Sequence, residues 1–209
     1  MTYSVKEMFL TLQGEGAQAG RPAVFMRFTG CNLWSGREVD RHKAQCQFCD
    51  TDFIGMDGQN GAQFTTPTAL ARAAFALWPG GGKPYVVCTG GEPLLQLEAA
   101  LIDALHKVGF EIAVETNGTL AAPTGIDWLC VSPKAGTELA QKSGNELKLV
   151  FPQKDQSPAD FEHLDFDRFV LQPMDGPQIV EYTRSAVEYC LSHPHWGLSL
   201  QTHKWIGIS

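Results

Sequence analysis

Short apolar runs that alternate with helical segments are the feature that most constrains the fold of this chain. Seven such runs are too short for helices and are rich in residues that favour strands. They cover residues 23–28, 85–88, 112–114, 128–131, 147–151, 169–171 and 198–200. Because strands separated by helices connect through right-handed crossovers, the pattern predicts an α/β fold with a mostly parallel sheet.

Three stretches between these runs have apolar residues at helical spacing. Each contains a proline in its first turn, where the missing N–H costs nothing, and the first has Thr66 as its candidate N-cap. The predicted helices cover residues 67–78, 93–108 and 177–190.

Length and charge restrict the class of protein. A chain of 209 residues is close to the usual size of one domain, roughly 100–200 residues, so we expect residues 1–209 to form a single domain. A formal net charge of −7 disfavours direct binding to nucleic acid or to anionic membranes. Residues 1–16 lack the apolar segment of a secretory signal, so we expect a cytoplasmic protein with reduced cysteines.

Polar clusters follow four of the predicted strands directly. They occupy residues 89–92, 115–118, 132–134 and 172–175. Any one cluster taken alone is better explained as a βα turn. Parallel α/β folds, however, bind ligands at the carboxyl ends of their strands, and the recurrence therefore predicts a functional rim there.

Cys31, Cys46 and Cys49 follow the spacing C-x14-C-x2-C. A thioredoxin-type redox pair is disfavoured because the C-x2-C unit follows a charged loop instead of opening a helix after a strand. With His42, the three cysteines would complete a tetrahedral zinc site. Without it, three thiolates would hold an iron–sulfur cluster with one iron open to another ligand. The other cysteines lie in apolar runs and are expected in the core: Cys88, Cys130 and Cys190.

The cysteine triplet and the TGGEP motif at residues 89–93 resemble the radical S-adenosylmethionine (SAM) superfamily. Five further motifs are similar to the 7-carboxy-7-deazaguanine synthase family within it. They are TLQGEG at 11–16, RFTGCNL at 27–33, FCDT at 48–51, SPK at 132–134 and QTHK at 201–204. The superfamily's common C-x3-C-x2-C spacing would place a cysteine at Ser35. The resemblance implies that Cys46, at the end of an enlarged loop, takes that role here.

The resemblance implies both a fold and a reaction. The fold is a partial, abbreviated (β/α) TIM-like barrel of six or seven mostly parallel strands with about three main helices. The reaction converts 6-carboxy-5,6,7,8-tetrahydropterin to 7-carboxy-7-deazaguanine with loss of ammonia, a step towards queuosine. A [4Fe–4S] cluster and a SAM-derived radical would do this chemistry without a residue that acts as acid or base. A flavodoxin-like electron donor and a homodimer are implied as well.

The same resemblance implies which residues bind each group. Cys31, Cys46 and Cys49 would bind the cluster, and the Thr51 hydroxyl would bind Mg²⁺ together with substrate oxygens and water. SAM would contact residues beside the last cysteine and at the strand ends: Phe48, Asp50, Gly91, Glu92, Ser132, Pro133, Lys134, Gln172, Pro173, Met174 and Asp175. The carboxypterin would contact a second set: Leu12, Gln13, Gly14, Glu15, Arg27, Thr89, His203 and Ser209.

The chemistry of several of these residues suits the implied roles. Arg27 is a charge within an apolar run, which is costly unless paired, and a guanidinium can bind a carboxylate through two hydrogen bonds. An outward-facing arginine on a half-exposed strand is the alternative. Residues 90 and 91 are glycines, which admit close backbone approach to a cofactor, and the Glu92 carboxylate can accept from the SAM ammonium. A free carboxylate at Ser209 could accept from pterin N–H groups.

Two other functions stay open on the sequence alone. One is a different member of the superfamily, such as an activase that places a glycyl radical on a partner protein. The segment QGE at residues 13–15 and the enlarged loop favour a small-molecule enzyme instead. The other is a binding module without catalysis, stabilised by zinc.

Alanine substitution separates the cluster from the zinc site. Replacing Cys31, Cys46 or Cys49 should abolish both the cluster and SAM cleavage, because each thiolate holds one iron. His42→Ala should leave cluster formation intact. Iron, zinc and absorbance measurements on anaerobically reconstituted protein check this. Stoichiometric zinc that is lost in His42→Ala would establish the zinc site instead.

Overall fold

The computed structural model describes residues 2–208, and the strands of this part of the chain form one nine-stranded sheet. The strands are β1 Tyr3–Leu12, β2 Pro22–Phe28, β3 Ala62–Phe64, β4 Tyr85–Gly90, β5 Glu111–Thr116, β6 Trp128–Val131, β7 Ser143–Phe151, β8 Asp165–Pro173 and β9 Trp196–Leu198. Their order in the sheet is β3-β1-β2-β4-β5-β6-β7-β8-β9.

Parallel pairing dominates this sheet. β1 is antiparallel to both β2 and β3, whereas every pair from β2–β4 through to β8–β9 is parallel. The strands from β2 onwards in the sheet order therefore end at a common rim, where the register places Arg27 beside Thr89. The predicted α/β partial barrel with mostly parallel strands is confirmed.

Four α-helices lie within residues 2–208. They are α1 Pro67–Phe75, α2 Ala99–Lys107, α3 Ile179–Ser192 and α4 Thr202–Ile206. α1 begins as predicted, because the Thr66 side chain accepts a hydrogen bond from the backbone N–H of Ala69. None of the helices in this part of the chain is long and apolar enough to span a membrane.

The segment after Pro93 differs from its prediction as one helix. Pro93–Leu95 forms a separate 3₁₀ turn, and α2 begins only at Ala99. The Gln96 amide explains the interruption. It accepts from the Ser4 backbone N–H at 2.7 Å and donates to the Thr29 carbonyl at 2.9 Å, so this part of the chain is attached to β1 and to the end of β2.

Strands β1 and β3 were not predicted from the sequence, and they raise the strand number above the expected six or seven. Charged residues within β1 interrupt the apolar sequence pattern from which a strand is predicted. Lys6 is nevertheless buried, because its ammonium contacts Asp52 at 2.8 Å and Asp57 at 2.7 Å and donates to the Ile54 carbonyl. Both aspartates lie in the polar stretch between β2 and β3, so long-range pairing stabilises this charge.

The apolar core occupies the space between the sheet and its helices. Leu70 of α1, Leu101 of α2 and Ala186 of α3 are fully buried there. A second, smaller apolar cluster includes Tyr85 and Trp128, the first residues of β4 and β6. The cysteines outside the triplet lie where they were expected: Cys88 and Cys130 are buried, and Cys190 packs against the core.

Candidate active site

A cavity of about 410 Å³ opens at the carboxyl ends of the parallel strands. The end of β1, the turns after β4, β6 and β8, and helix α4 all contribute to its wall. It brings together most residues of the predicted site: Leu12, Gln13, Gly14, Glu15, Arg27, Cys46, Phe48, Cys49, Asp50, Thr51, Thr89, Gly91, Ser132, Lys134, Gln172, Pro173, Asp175 and His203. Convergent polar groups in such a cavity are typical of a ligand site.

Four predicted site residues lie off this wall: Cys31, Glu92, Pro133 and Met174. The carbonyl of Pro133 accepts from the Gln153 amide, and the backbone N–H of Met174 donates to Phe151. Their backbone groups are therefore engaged in structural hydrogen bonds. The predicted role of Ser209 lies outside the described residues.

The three cysteines of the triplet are free thiols. Cys46 and Cys49 are close enough to share a hydrogen bond, which raises the pKa of Cys46 and lowers that of Cys49. Lys134 opposes the rise of the Cys46 pKa and adds to the fall of the Cys49 pKa, and a nearby ammonium suits thiolate ligands. Burial raises the pKa of Cys31, which interacts electrostatically with Cys49. Three free, adjacent thiols with a counter-ion fit the donor set of an iron–sulfur cluster.

No group of three His, Cys, Asp or Glu side chains within residues 2–208 is already arranged around a single metal ion. The side chain of His42 is exposed on the 3₁₀ turn Glu38–Lys43. Its backbone carbonyl accepts a hydrogen bond from the Gln47 amide, and its imidazole makes no hydrogen bond within residues 2–208.

The enlarged loop before Cys46 is held in place by Arg41, a residue that the sequence did not single out. Its guanidinium lies over the Trp34 ring, 4.1 Å from the ring centroid. It also donates to the carbonyls of Gln47 at 2.8 Å and Cys49 at 3.0 Å. Arg41 therefore connects the loop directly to the Cys46–Cys49 turn.

Glu92 makes several hydrogen bonds within the fold. Its carboxylate accepts from Leu94 N at 3.0 Å, from the Thr116 hydroxyl at 2.7 Å and from Asn117 N at 2.8 Å. Burial raises the pKa of this fully buried group, and these donors oppose the rise. Glu92 therefore joins the ends of β4 and β5, and its contact with SAM stays a prediction.

The glycines at the end of β4 are required by packing against the chain itself. A Cβ at Gly91 would lie 2.2 Å from the Gly30 carbonyl oxygen and 2.8 Å from Cys31 Cβ. Gly90 has φ +141°, and a Cβ there would lie 2.3 Å from the Phe28 carbonyl oxygen. Because these two residues have no Cβ, the end of β4 can pack closely against the turn that carries Cys31, in addition to the close approach to a cofactor that we expected.

A buried ion triad forms one part of the cavity wall. The Lys148 ammonium lies 2.7 Å from Glu15 Oε2 and 2.6 Å from Glu115 Oε2, and its side chain is only 5% exposed. Although burial raises the pKa of Glu15, Lys148 and neighbouring donors lower it to about 2. Burial raises the pKa of Glu115, against the effect of Lys148. The triad therefore holds two acidic groups and one ammonium within the cavity.

Glu115 and Lys148 were not among the predicted site residues. Lys148 had a detectable signal, since it is a charge inside the apolar run 147–151, the same signal that identified Arg27. Glu115 was noted only as part of a polar cluster after a strand. Its pairing with Lys148 depends on the sheet order, which places β6 between β5 and β7.

Arg27 faces the cavity and not the solvent. Its Nε donates to Glu7 Oε1 at 2.8 Å, and its side chain is 20% exposed. Within residues 2–208, its two terminal amino groups make no hydrogen bond. The Arg27 side chain is therefore anchored through Nε, and its two terminal amino groups can donate hydrogen bonds to a ligand.

Helix α4 folds back over the cavity. The backbone N–H and hydroxyl of Thr202 donate to the Gly14 carbonyl at 2.9 Å each. Lys204 contacts Asp50 at 2.7 Å and Asp175 at 2.6 Å, which connects the loop beside Cys49 with the end of β8. His203 packs on Gly14, where an added Cβ would lie 2.2 Å from its Nδ1. The last described helix is therefore part of the site.

The comparisons with known proteins agree with this geometry. A profile of the Radical SAM superfamily matches residues 42–148. A 7-carboxy-7-deazaguanine synthase from Caulobacter vibrioides is 65% identical over 100% of both chains, and one from Synechocystis sp. is 31% identical over 100% of this chain and 94% of the relative. A crystal structure of QueE from Escherichia coli aligns with a TM-score of 0.72 at 28% identity, covering 97% of this chain and 95% of that one.

The profile match and the cysteine-bearing cavity place this chain in the radical SAM superfamily, whose members use a [4Fe–4S] cluster and SAM. The full-length similarity to several synthases narrows the assignment. The chain belongs to the 7-carboxy-7-deazaguanine synthase family.

Gly91→Ala should separate the end of β4 from the turn that carries Cys31, because its new Cβ would overlap the Gly30 carbonyl. We expect a loss of about 1–3 kcal/mol in stability together with reduced cluster content. Thermal melting and iron analysis check this. Gly197→Ala is the control, since a Cβ there has its nearest neighbour at 3.6 Å. Equal iron content and stability in the two variants would contradict the packing argument.

Proposed function

We propose that this chain is a carbon–nitrogen lyase that converts 6-carboxy-5,6,7,8-tetrahydropterin to 7-carboxy-7-deazaguanine with release of ammonia, a step of queuosine biosynthesis. The proposal rests on one observation. A single cavity is lined by thiols that suit an iron–sulfur cluster, by the guanidinium of Arg27 and by the buried carboxylates of Glu15 and Glu115. A carboxypterin offers a carboxylate to the arginine and an N–H-rich edge to the carboxylates. The similarity to named synthases supports the same reaction.

The cofactors would occupy the side of the cavity that contains the thiols. Cys31, Cys46 and Cys49 would hold the cluster, with one iron left for the methionine end of SAM. The cluster and SAM together supply a 5′-deoxyadenosyl radical that can abstract a hydrogen atom from the pterin. The polar residues beside the thiols and at the ends of β6 and β8 would orient SAM: Phe48, Asp50, Ser132, Lys134, Gln172, Pro173 and Asp175.

The side chain of Lys134 is held by hydrogen bonds to its own turn. Its ammonium contacts the Ser132 carbonyl at 2.7 Å and the Ser132 hydroxyl at 2.6 Å. Burial lowers its pKa, and interactions with Cys46 and Cys49 oppose that effect. This arrangement would hold a positive charge between the cluster thiols and the SAM ribose or carboxylate.

The substrate would lie between β1, β2 and α4. The free Arg27 amino groups would bind its carboxylate, and Gln13 and Glu15 would face the ring nitrogens. Thr89 and His203 complete this part of the wall. Helix α4 would limit the access of water to the cavity, which protects a radical from side reactions.

Mg²⁺ would bind through Thr51, which lies on the cavity wall. The Thr51 hydroxyl is a hard oxygen ligand, and one such ligand is a weak site alone. Substrate oxygens and water would complete the coordination, so the ion and the pterin should bind together.

We also infer a homodimer of single-domain subunits and reduction by a flavodoxin-like protein in the cytoplasm. A shallow apolar groove supports the homodimer. Its lining includes the exposed side chains of Leu10, Leu12, Ile206 and Ile208, and two copies in contact would cover them.

Six cysteines, none of them in a disulfide within the described chain, suit a reducing compartment.

Anaerobic incubation of the reconstituted, reduced protein with SAM and the carboxypterin tests the proposed reaction. Mass spectrometry should detect a product that is lighter than the substrate by one ammonia. Protein lacking Cys49 is the control for cluster-independent breakdown. SAM cleavage with unchanged pterin would assign the chain to a different reaction of the superfamily.

Arg27→Lys should reduce kcat/KM for the carboxypterin by on the order of 10- to 100-fold, mainly through KM, because an ammonium cannot reproduce the two-pronged contact. Steady-state kinetics measures this. Arg21→Lys is the matched control, since Arg21 pairs with Glu111 and lies off the cavity wall. Unchanged substrate affinity in Arg27→Lys would remove Arg27 from the substrate site.

A further inference from the structure

Lys148 connects two parts of the cavity that are distant in sequence. It lies in β7, whereas Glu15 follows β1 and Glu115 belongs to β5. Both carboxylates have a second partner, since Glu15 accepts from the Gln201 amide at 2.9 Å and Glu115 from the Gln13 amide at 3.2 Å. The single ammonium therefore sets the distance between two carboxylates that both line the cavity.

The charges around Lys148 do not balance. Besides the triad's own Glu15 and Glu115, the titratable groups that face Lys148 and its partners are Glu146, Lys134, Cys130 and Tyr85. Two buried carboxylates repel each other, and burial alone would protonate at least one of them. Lys148 opposes the protonation of both Glu15 and Glu115. When the triad is ionised, its two carboxylates and one ammonium give it a net negative charge. Such a site favours a ligand edge that donates several hydrogen bonds or carries positive charge.

We propose that Lys148 is a positioning residue for the lyase, holding Glu15 and Glu115 as a pair of hydrogen-bond acceptors for the N–H-rich, guanidine-like edge of the substrate. This inference rests on the proposed function. Lys148 acts through the two carboxylates and takes no part in bond making. Its removal should therefore affect binding more than turnover.

The proposal predicts that removal of Lys148 makes substrate binding depend more steeply on pH. With Lys148 present, the pKa of Glu15 is about 2, so this carboxylate stays ionised at any pH near neutrality. Without Lys148, burial raises the pKa of Glu15, and falling pH protonates an acceptor that the substrate needs. Substrate affinity in a Lys148→Met variant should therefore rise with increasing pH between pH 6 and 8, and more steeply than the affinity of the native protein, in which Glu15 stays ionised.

Anaerobic calorimetry with the carboxypterin, on protein carrying cluster and SAM, tests this directly. At pH 7, Lys148→Met should bind at least about 30-fold more weakly, because one partner of a buried charge pair is lost. KM should rise more than kcat falls, and Lys148→Arg should recover part of the affinity. Iron content and thermal melting control for folding. Native affinity with no pH dependence in Lys148→Met would overturn the proposal.

A second variant keeps the test decisive if Lys148→Met folds poorly. In the double variant Glu115→Gln, Lys148→Met, the repulsion between carboxylates is gone, and the buried Glu15 still lacks its counter-ion. Its affinity should still rise with pH, and a flat profile would overturn the proposal. Wild-type protein that neither binds nor converts the carboxypterin would refute the proposed function itself. Wild-type turnover alongside unaffected Lys148 variants would refute only the role of Lys148.

Discussion

The contact of Lys148 with Glu15 and Glu115 is the interaction on which the architecture of the site depends. It joins the loop after β1 to two strands of the parallel sheet, and Glu15 in turn contacts Gln201 before α4. Removing one member of such a buried network leaves an uncompensated charge, which typically costs about 3–5 kcal/mol. The loop, the strand ends and the last helix are therefore coupled through one small set of charges.

The parallel sheet and its functional rim could be predicted from the sequence because both follow from local patterns. We can recognise the apolar runs of β4 to β8 and the capped start of α1 from a few consecutive residues each. The polar clusters after the strands located the rim, and the resemblance to the family identified most residues of the cavity wall. Arg27 was recognised because a charge in an apolar strand demands a partner.

The remaining features depend on contacts between distant residues. β1 was missed because Lys6 is stabilised by aspartates more than forty positions away, Asp52 and Asp57. The position of Glu92 off the cavity wall follows from its bonds to Thr116 and Asn117, and neither contact has a local signal. The Lys148 triad requires knowledge of the strand order. In each case a polar group is satisfied by long-range pairing, which pattern analysis does not detect.

The central claim is that one cavity unites a SAM-derived radical with the carboxypterin. Deuterium placed at C6 of the carboxypterin tests it most directly, because the radical must meet that position for the label to move. The account predicts that mass spectrometry of SAM recovered from an anaerobic reaction will show the deuterium. Cleavage of SAM to unlabelled 5′-deoxyadenosine, with the label retained in the pterin, would contradict it.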